Sequence, residues 1–89
     1  MKRLSRTHQF KKDIKRMLKR GRGVTEFKIV VQQLLESQAL ATHYRDHALI
    51  GQYKGTRECH IAPNWLLIYE VTDTEVILIR TGTQSDLFT

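Results

Sequence analysis

Along the N-terminal part of the chain, apolar residues recur at helical spacing. Phe10, Ile14, Met17 and Leu18 fall at i, i+4, i+7 and i+8, one stripe of an amphipathic helix. Thr7 is placed to cap that helix, and Gly21 and Gly23 to end it. A second stripe, Phe27, Val30, Val31, Leu34 and Leu35, predicts a helix from about Val24 to Glu36. The short Gly21-Arg22-Gly23 link predicts an antiparallel helix pair. Ahead of the pair, Lys2 to Ser5 reads as a short strand.

After Ser37 the texture changes. Ala39 to Arg45 reads as a connector, and His47 to Tyr53 as a weak strand. Thr56 to Ala62 is a better strand, stopped by Pro63-Asn64. Trp65 to Thr72 is the strongest, followed by a tight turn at Thr72-Asp73-Thr74 and a last strand from Glu75 to Thr81. Gly82 breaks it and leaves a tail, Thr83 to Thr89. Consecutive strands with short connections predict antiparallel pairing. The expected fold class is α+β, with the helix hairpin packed on one face of a small sheet. The apolar runs Leu66 to Tyr69 and Val76 to Ile79 imply that both sheet faces are largely covered. The face away from the helices is expected to be concave and to carry function.

Eighty-nine residues suit a single domain, residues 1–89, with a small core. The longest purely apolar run, Trp65 to Tyr69, is far too short for a membrane span, and no apolar segment behind the basic N-terminus suggests a secretory signal. Cys59 is the only cysteine, which fits a reducing cytoplasm. The net charge of +6 is unevenly spread. Residues 1–22 hold ten Lys and Arg against one acid, Asp13, while the remainder is net negative. Lys11, Lys12, Lys15, Arg16 and Lys19 make the predicted first helix a positive patch, which attracts polyanions such as nucleic acid, an anionic surface or an acidic protein segment.

Histidine changes charge near neutral pH and is the natural proton shuttle. RNA can be cut without metal when the ribose 2′-OH attacks the adjacent phosphate, one group taking its proton and another protonating the leaving 5′-oxygen. Cations hold the phosphate as charge builds. His47 and His60, with Lys54, Arg57 and Arg80, supply those residue types. A metal site is the competing use. His43 and His47 are spaced i, i+4, but the paired Cys and His spacings of zinc sites are missing. Adjacent Cys59 and His60 point to opposite faces of a strand, so no metal and no cofactor are expected. Cys59 reads as a buried filler. Trp65, just after Pro63-Asn64, reads as core or as a base-stacking platform, and Phe88 as a tail anchor or part of a ligand pocket.

From Tyr44 to Phe88 the chain carries Y-x-D-H-x-L-x-G, K-G-x-R-E-C-H-I-x-P, W-L-L-I-Y and R-T-G-T-x-S-D-L-F in that order. Together these blocks resemble the YafQ-type branch of the RelE/ParE toxin superfamily, from bacterial type II toxin–antitoxin systems. The resemblance implies two helices against a small, twisted, mainly antiparallel sheet. It implies metal-free cleavage of mRNA in the A site of the 70S ribosome, and neutralisation by a cognate acidic antitoxin of the DinJ or RelB kind that wraps the toxin. Operator DNA would be met only through that antitoxin. By the same resemblance, His47 and His60 match active-site histidines, Trp65 the tryptophan beside them and Phe88 the C-terminal aromatic. Arg57 and Arg80 match arginines that bind phosphate or brace the site.

Two positions depart from the pattern. Asn64 stands where better-known members have Asp, and Gln84 where the family usually has a His implicated as general acid or base. Glutamine does not titrate, and general acid–base catalysis contributes about 10²–10⁴-fold, so cleavage is expected to be attenuated. Three explanations stay open: a weak toxin, a reaction that His47 and His60 carry between them, or an inactivating substitution at position 84. Two further readings compete with a nuclease: inhibition of DNA gyrase in the manner of the ParE branch, and an interaction module that holds an acidic partner.

Overall fold

The computed structural model of the chain describes residues 1–88. Its strands are β1 (Arg3–Arg6), β2 (His47–Ala48), β3 (Arg57–Ala62), β4 (Trp65–Val71) and β5 (Glu75–Gly82). Its helices are α1 (His8–Lys19), α2 (Thr25–Leu35) and a short α3 (Gln84–Phe88). The strands form one sheet in the order β1-β5-β4-β3-β2. The pairs β5–β4, β4–β3 and β3–β2 are antiparallel, and β1 lies parallel to β5.

Period-two alternation sorts the two faces. Cys59 and Ile61 of β3, Trp65, Leu67 and Tyr69 of β4, and Val76 and Leu78 of β5 pack with Phe10, Met17, Val30, Val31 and Leu34 of the helices. Leu66 and Ile68 of β4 face the other way and meet Leu87 of α3, with Leu49, Tyr53 and Ile79 against them. The helix layer therefore covers one face, and α3 with the loop before β3 partly covers the other.

Thr7 caps α1, its hydroxyl accepting from the Phe10 N–H at 3.0 Å and donating to the Ile79 carbonyl at 2.7 Å. One N-cap thus also ties α1 to the sheet; such caps are worth about 1 kcal/mol. The expected stripe of α1 is only partly correct. Phe10 and Met17 are buried and Ile14 packs against the core, but Leu18 is 45% exposed. The fully enclosed position between them is Asp13. Two further expectations change. The weak strand over His47 to Tyr53 shrinks to His47–Ala48, followed by a 3-10 turn at Gly51–Tyr53. The tail after Gly82 is not irregular, because Gln84–Phe88 is helical; Thr89 lies outside the described residues.

A histidine–arginine face opposite the helices

The central geometry follows from register. β2 sets His47 directly opposite Glu58 on β3, and His60 lies two residues along from Glu58 on the same face. The two imidazole rings stand 6.5 Å apart, centroid to centroid. Both turn Nε2 toward a single carboxylate oxygen, Glu58 Oε1, at 3.4 Å for His47 and 3.8 Å for His60. Glu58 is buried, and its other oxygen, Oε2, has no hydrogen-bond partner among the described residues.

The orientation of His47 is fixed from behind. A 3-10 turn at Thr42–Tyr44 closes on Arg45, whose φ of 53° is left-handed. That turn brings the Arg45 carbonyl to 2.7 Å from His47 Nδ1. A carbonyl can only accept, so Nδ1 carries the hydrogen. Nε2 is then the atom at which His47 takes up or releases a proton. The same loop is pinned by Asp46, which accepts from Arg57 Nη2 at 3.0 Å and from the Tyr69 hydroxyl. Arg57 therefore braces the segment that carries His47.

Arg80 comes to this face through a bulge. Ile68 pairs with Arg80 and Tyr69 with Leu78, so Ile79 is an extra residue in β5. Glu58, Ile68 and Arg80 then form one cross-strand row. Two strand spacings separate the ends of that row, roughly 10 Å. Arg80 donates from Nε and Nη2 to Asp13 on α1, at 2.8 and 3.1 Å. The fork raises the guanidinium above its ordinary range, so it is a permanent cation. Tyr53 stands beside Arg80, and Phe88 packs edge-on against Tyr53, centroids 5.8 Å apart.

Gln84 and Asn64 meet at the end of the sheet. Asn64 holds φ +59° in the turn between β3 and β4, a conformation that asparagine tolerates well. Its Oδ1 lies 3.4 Å from the Gln84 N–H. Both side chains are exposed.

Of the residues singled out from sequence, His47, His60, Arg80, Asn64, Gln84 and Phe88 thus lie on or beside the face away from the helices. Lys54 is exposed at the end of the 3-10 turn. Trp65 is not available to a base: it is 1% exposed, lies parallel to Phe27 at 6.0 Å, and donates Nε1–H to Thr81 Oγ1 at 2.8 Å. Arg16 is not a free member of the positive patch, because it bonds Asp13 at 3.1 Å. Lys11, Lys12, Lys15 and Lys19 are exposed. Cys59 and His60 do fall on opposite faces. Cys59 is fully buried, and burial pushes its thiol up to about 12, so it is no nucleophile. Among the described residues, no three His, Cys, Asp or Glu side chains gather as a metal ligand set.

Glu58 and Asp13 are the residues that sequence reasoning missed. Glu58 could have been found, since it precedes His60 by two in a predicted strand and so shares its face. Beside His60 a cleft of about 500 Å³ opens, lined by Glu26, His43, Arg45 and Pro63 among others.

A helix pair on one face of a five-stranded sheet, with histidines and a clamped arginine on the other, defines a RelE/ParE-like toxin fold. The family model described as the bacterial toxin of type II toxin–antitoxin systems, YafQ, matches residues 2–89. The chain belongs to that family. It is 38% identical over 81 residues to the mRNA interferase toxin YafQ of Escherichia coli strain K12, covering 90% of this chain and 88% of the relative. The crystal structure of YafQ from E. coli BL21(DE3) superposes over all of both chains with a TM-score of 0.94 and 36% identity. The toxin chain of the E. coli DinJ–YafQ complex superposes with a TM-score of 0.91 and 34% identity, again over both whole chains.

Proposed function

We propose that this chain cleaves mRNA on the ribosome, by attack of a ribose 2′-OH on the adjacent phosphate, at the face formed by His47, Glu58, His60 and Arg80. The observation that carries the reading is the convergence of two Nε2 atoms on one buried carboxylate oxygen, in the same sheet face as a permanent cation. Such a pair can divide the work. One imidazole takes the 2′-OH proton and the other protonates the leaving 5′-oxygen. Glu58 faces Nε2 of both rings and stabilises whichever is charged, while the Arg45 carbonyl orients His47 from its other nitrogen. Arg80 keeps Nη1 free of Asp13 and can hold the phosphate as negative charge builds. The cleft beside His60 has room for a neighbouring base, and Phe88, 41% exposed, offers an aromatic face.

Gln84 lies at the start of α3 and supplies no proton; a His there would add a third titratable group beside the pair, so its absence slows the reaction without abolishing it. An acidic antitoxin of the DinJ kind fits the exposed lysines of α1, and the relative named above is seen in complex with DinJ. Among the described residues, no helix is long and apolar enough to cross a membrane. Action on ribosomes would place the toxin in the cytoplasm.

The nucleophile can be tested directly. A defined mRNA carrying a 2′-deoxy sugar at the cleaved nucleotide is programmed into 70S ribosomes beside its all-ribose twin. The all-ribose message should be cut, leaving 2′,3′-cyclic phosphate ends, and the deoxy message left intact. Equal cleavage of both would refute 2′-OH attack.

A further inference from the structure

Asp13 is the one acid among the first 22 residues, and it is fully enclosed. A buried carboxylate is costly unless both oxygens are paired. Here both are. Oδ2 accepts from Arg80 Nε at 2.8 Å and from the Thr81 N–H at 3.2 Å. Oδ1 accepts from Arg80 Nη2, Arg16 Nη2 and Gln9 Nε2, each at 3.1 Å. The Thr81 N–H lies where β5 has run past the end of β1, which pairs only as far as Leu78. Asp13 thus replaces a strand partner and grips Arg80 in a two-point fork.

The grip extends to α3. Arg16 Nη2 lies 3.8 Å from Asp86 Oδ2, and Arg20 Nη1 lies 2.7 Å from the same oxygen. Asp86 also accepts from the Thr83 N–H at 2.9 Å, and the Thr83 hydroxyl accepts from the Asp86 N–H at 3.2 Å, a reciprocal cap on α3. Charges therefore alternate without a break from Arg80 through Asp13, Arg16 and Asp86 to Arg20.

We propose that Asp13 is a positioning residue of the site: it fixes the Arg80 guanidinium on the face away from the helices and, through Arg16, Asp86 and Arg20, fixes the helix that carries Gln84 and Phe88. What the positioned groups then do rests on the nuclease reading; the positioning itself does not.

The test has two arms. In the unsubstituted chain, the Arg80 Nε–H is observed by ¹⁵N NMR, and amide exchange is followed across residues 84–88. The Arg80 signal should exchange slowly. In Asp13→Asn it should exchange freely, and residues 84–88 should exchange about tenfold faster, with β3 and β4 unaffected. If Asp13→Asn does not fold, Asp86→Asn is read instead and should loosen residues 84–88 alone. A freely exchanging Arg80 Nε–H in the unsubstituted chain, or unchanged α3 exchange in the variants, overturns the proposal. The second arm is a double-mutant cycle for cleavage on ribosomes in a Gln84→His background. Asp13→Asn should lower kcat roughly 10²-fold with KM unchanged, and most of that loss should vanish once Arg80 is Ala. An equal loss in both backgrounds would mean that Asp13 acts only on global stability. If the Gln84→His parent cuts nothing, the nuclease reading fails, and the exchange arm still decides the role of Asp13.

Discussion

His47 and His60 meet because β2 sets one of them opposite Glu58 while strand alternation sets the other two residues along. Both histidines were legible in the sequence as titratable groups among cations. Their mediator was not, because an acid in a basic chain reads as a solvated counter-charge. Trp65 shows the converse. A tryptophan after a Pro-Asn turn suits a core by default and a platform as well, and the parity that groups it with Leu67 and Tyr69 on the helix side decides for the core. Replacing Glu58 by Gln keeps the shape and removes the charge that both rings share. Cleavage by a Gln84→His chain should then slow by roughly 10²-fold or more, with ribosome affinity unchanged. Single-turnover rates with saturating ribosomes check this, and an unaltered rate would make Glu58 a bystander.

At the level of elements, both long helices and β3 to β5 follow from hydrophobic period, with ends shifted by a residue or so. The departures have physical causes. Asp13 occupies the centre of the buried side of α1 because the end of β5 offers an unpaired N–H there, a polar demand that apolar periodicity does not register. β2 is only two residues long, since a 3-10 turn takes over at Gly51. α3 is too short for a periodic signal, and its only mark is Thr83 followed three residues later by Asp86. Gly82 makes the close approach of α1 and α3 possible. A Cβ there would stand 2.9 Å from Asp86 Cβ and 3.2 Å from Arg16 Nη2. Gly82→Ala should cost about 1–3 kcal/mol by urea unfolding and loosen α3 more than β3 or β4. A neutral substitution would show that the approach can relax at no cost.

Across the whole molecule, charge is divided between a structural network and an open surface. Burial alone would raise the Asp13 carboxyl, but hydrogen bonds from Arg80, Gln9 and the Thr81 N–H outweigh it and hold it below its ordinary value. The Arg20 hydrogen bond, with the Thr83 N–H, holds the Asp86 carboxyl well below its ordinary value. Groups depressed in the folded state stabilise it above their unfolded value, here 3.8, and lose that contribution as pH falls through the folded one. Unfolding free energy should therefore drop steeply below about pH 4, and Asp13→Asn should flatten the drop. Urea midpoints between about pH 5 and 2 measure it, and parallel curves for the two chains would count against the network. On α1 the open positive surface is lysine: Lys11, Lys12, Lys15 and Lys19 are exposed. Reversing Lys11, Lys12, Lys15 and Lys19 to Glu should weaken ribosome binding and shallow its salt dependence, with the fold intact by circular dichroism. Arg16, which the basic pattern of α1 groups with these lysines, is left out because it is engaged inside the fold.

The most direct measurement is primer extension on a defined mRNA in programmed 70S ribosomes, comparing this chain with Gln84→His and with Gln84→His lacking both His47 and His60. Gln84→His should make A-site cuts, the unsubstituted chain the same cuts about 10²–10⁴-fold more slowly, and neither the chain without the two histidines nor any chain without ribosomes should cut. Cleavage that survives the loss of His47 and His60, or no cleavage by any of the three, would contradict the two-histidine mechanism.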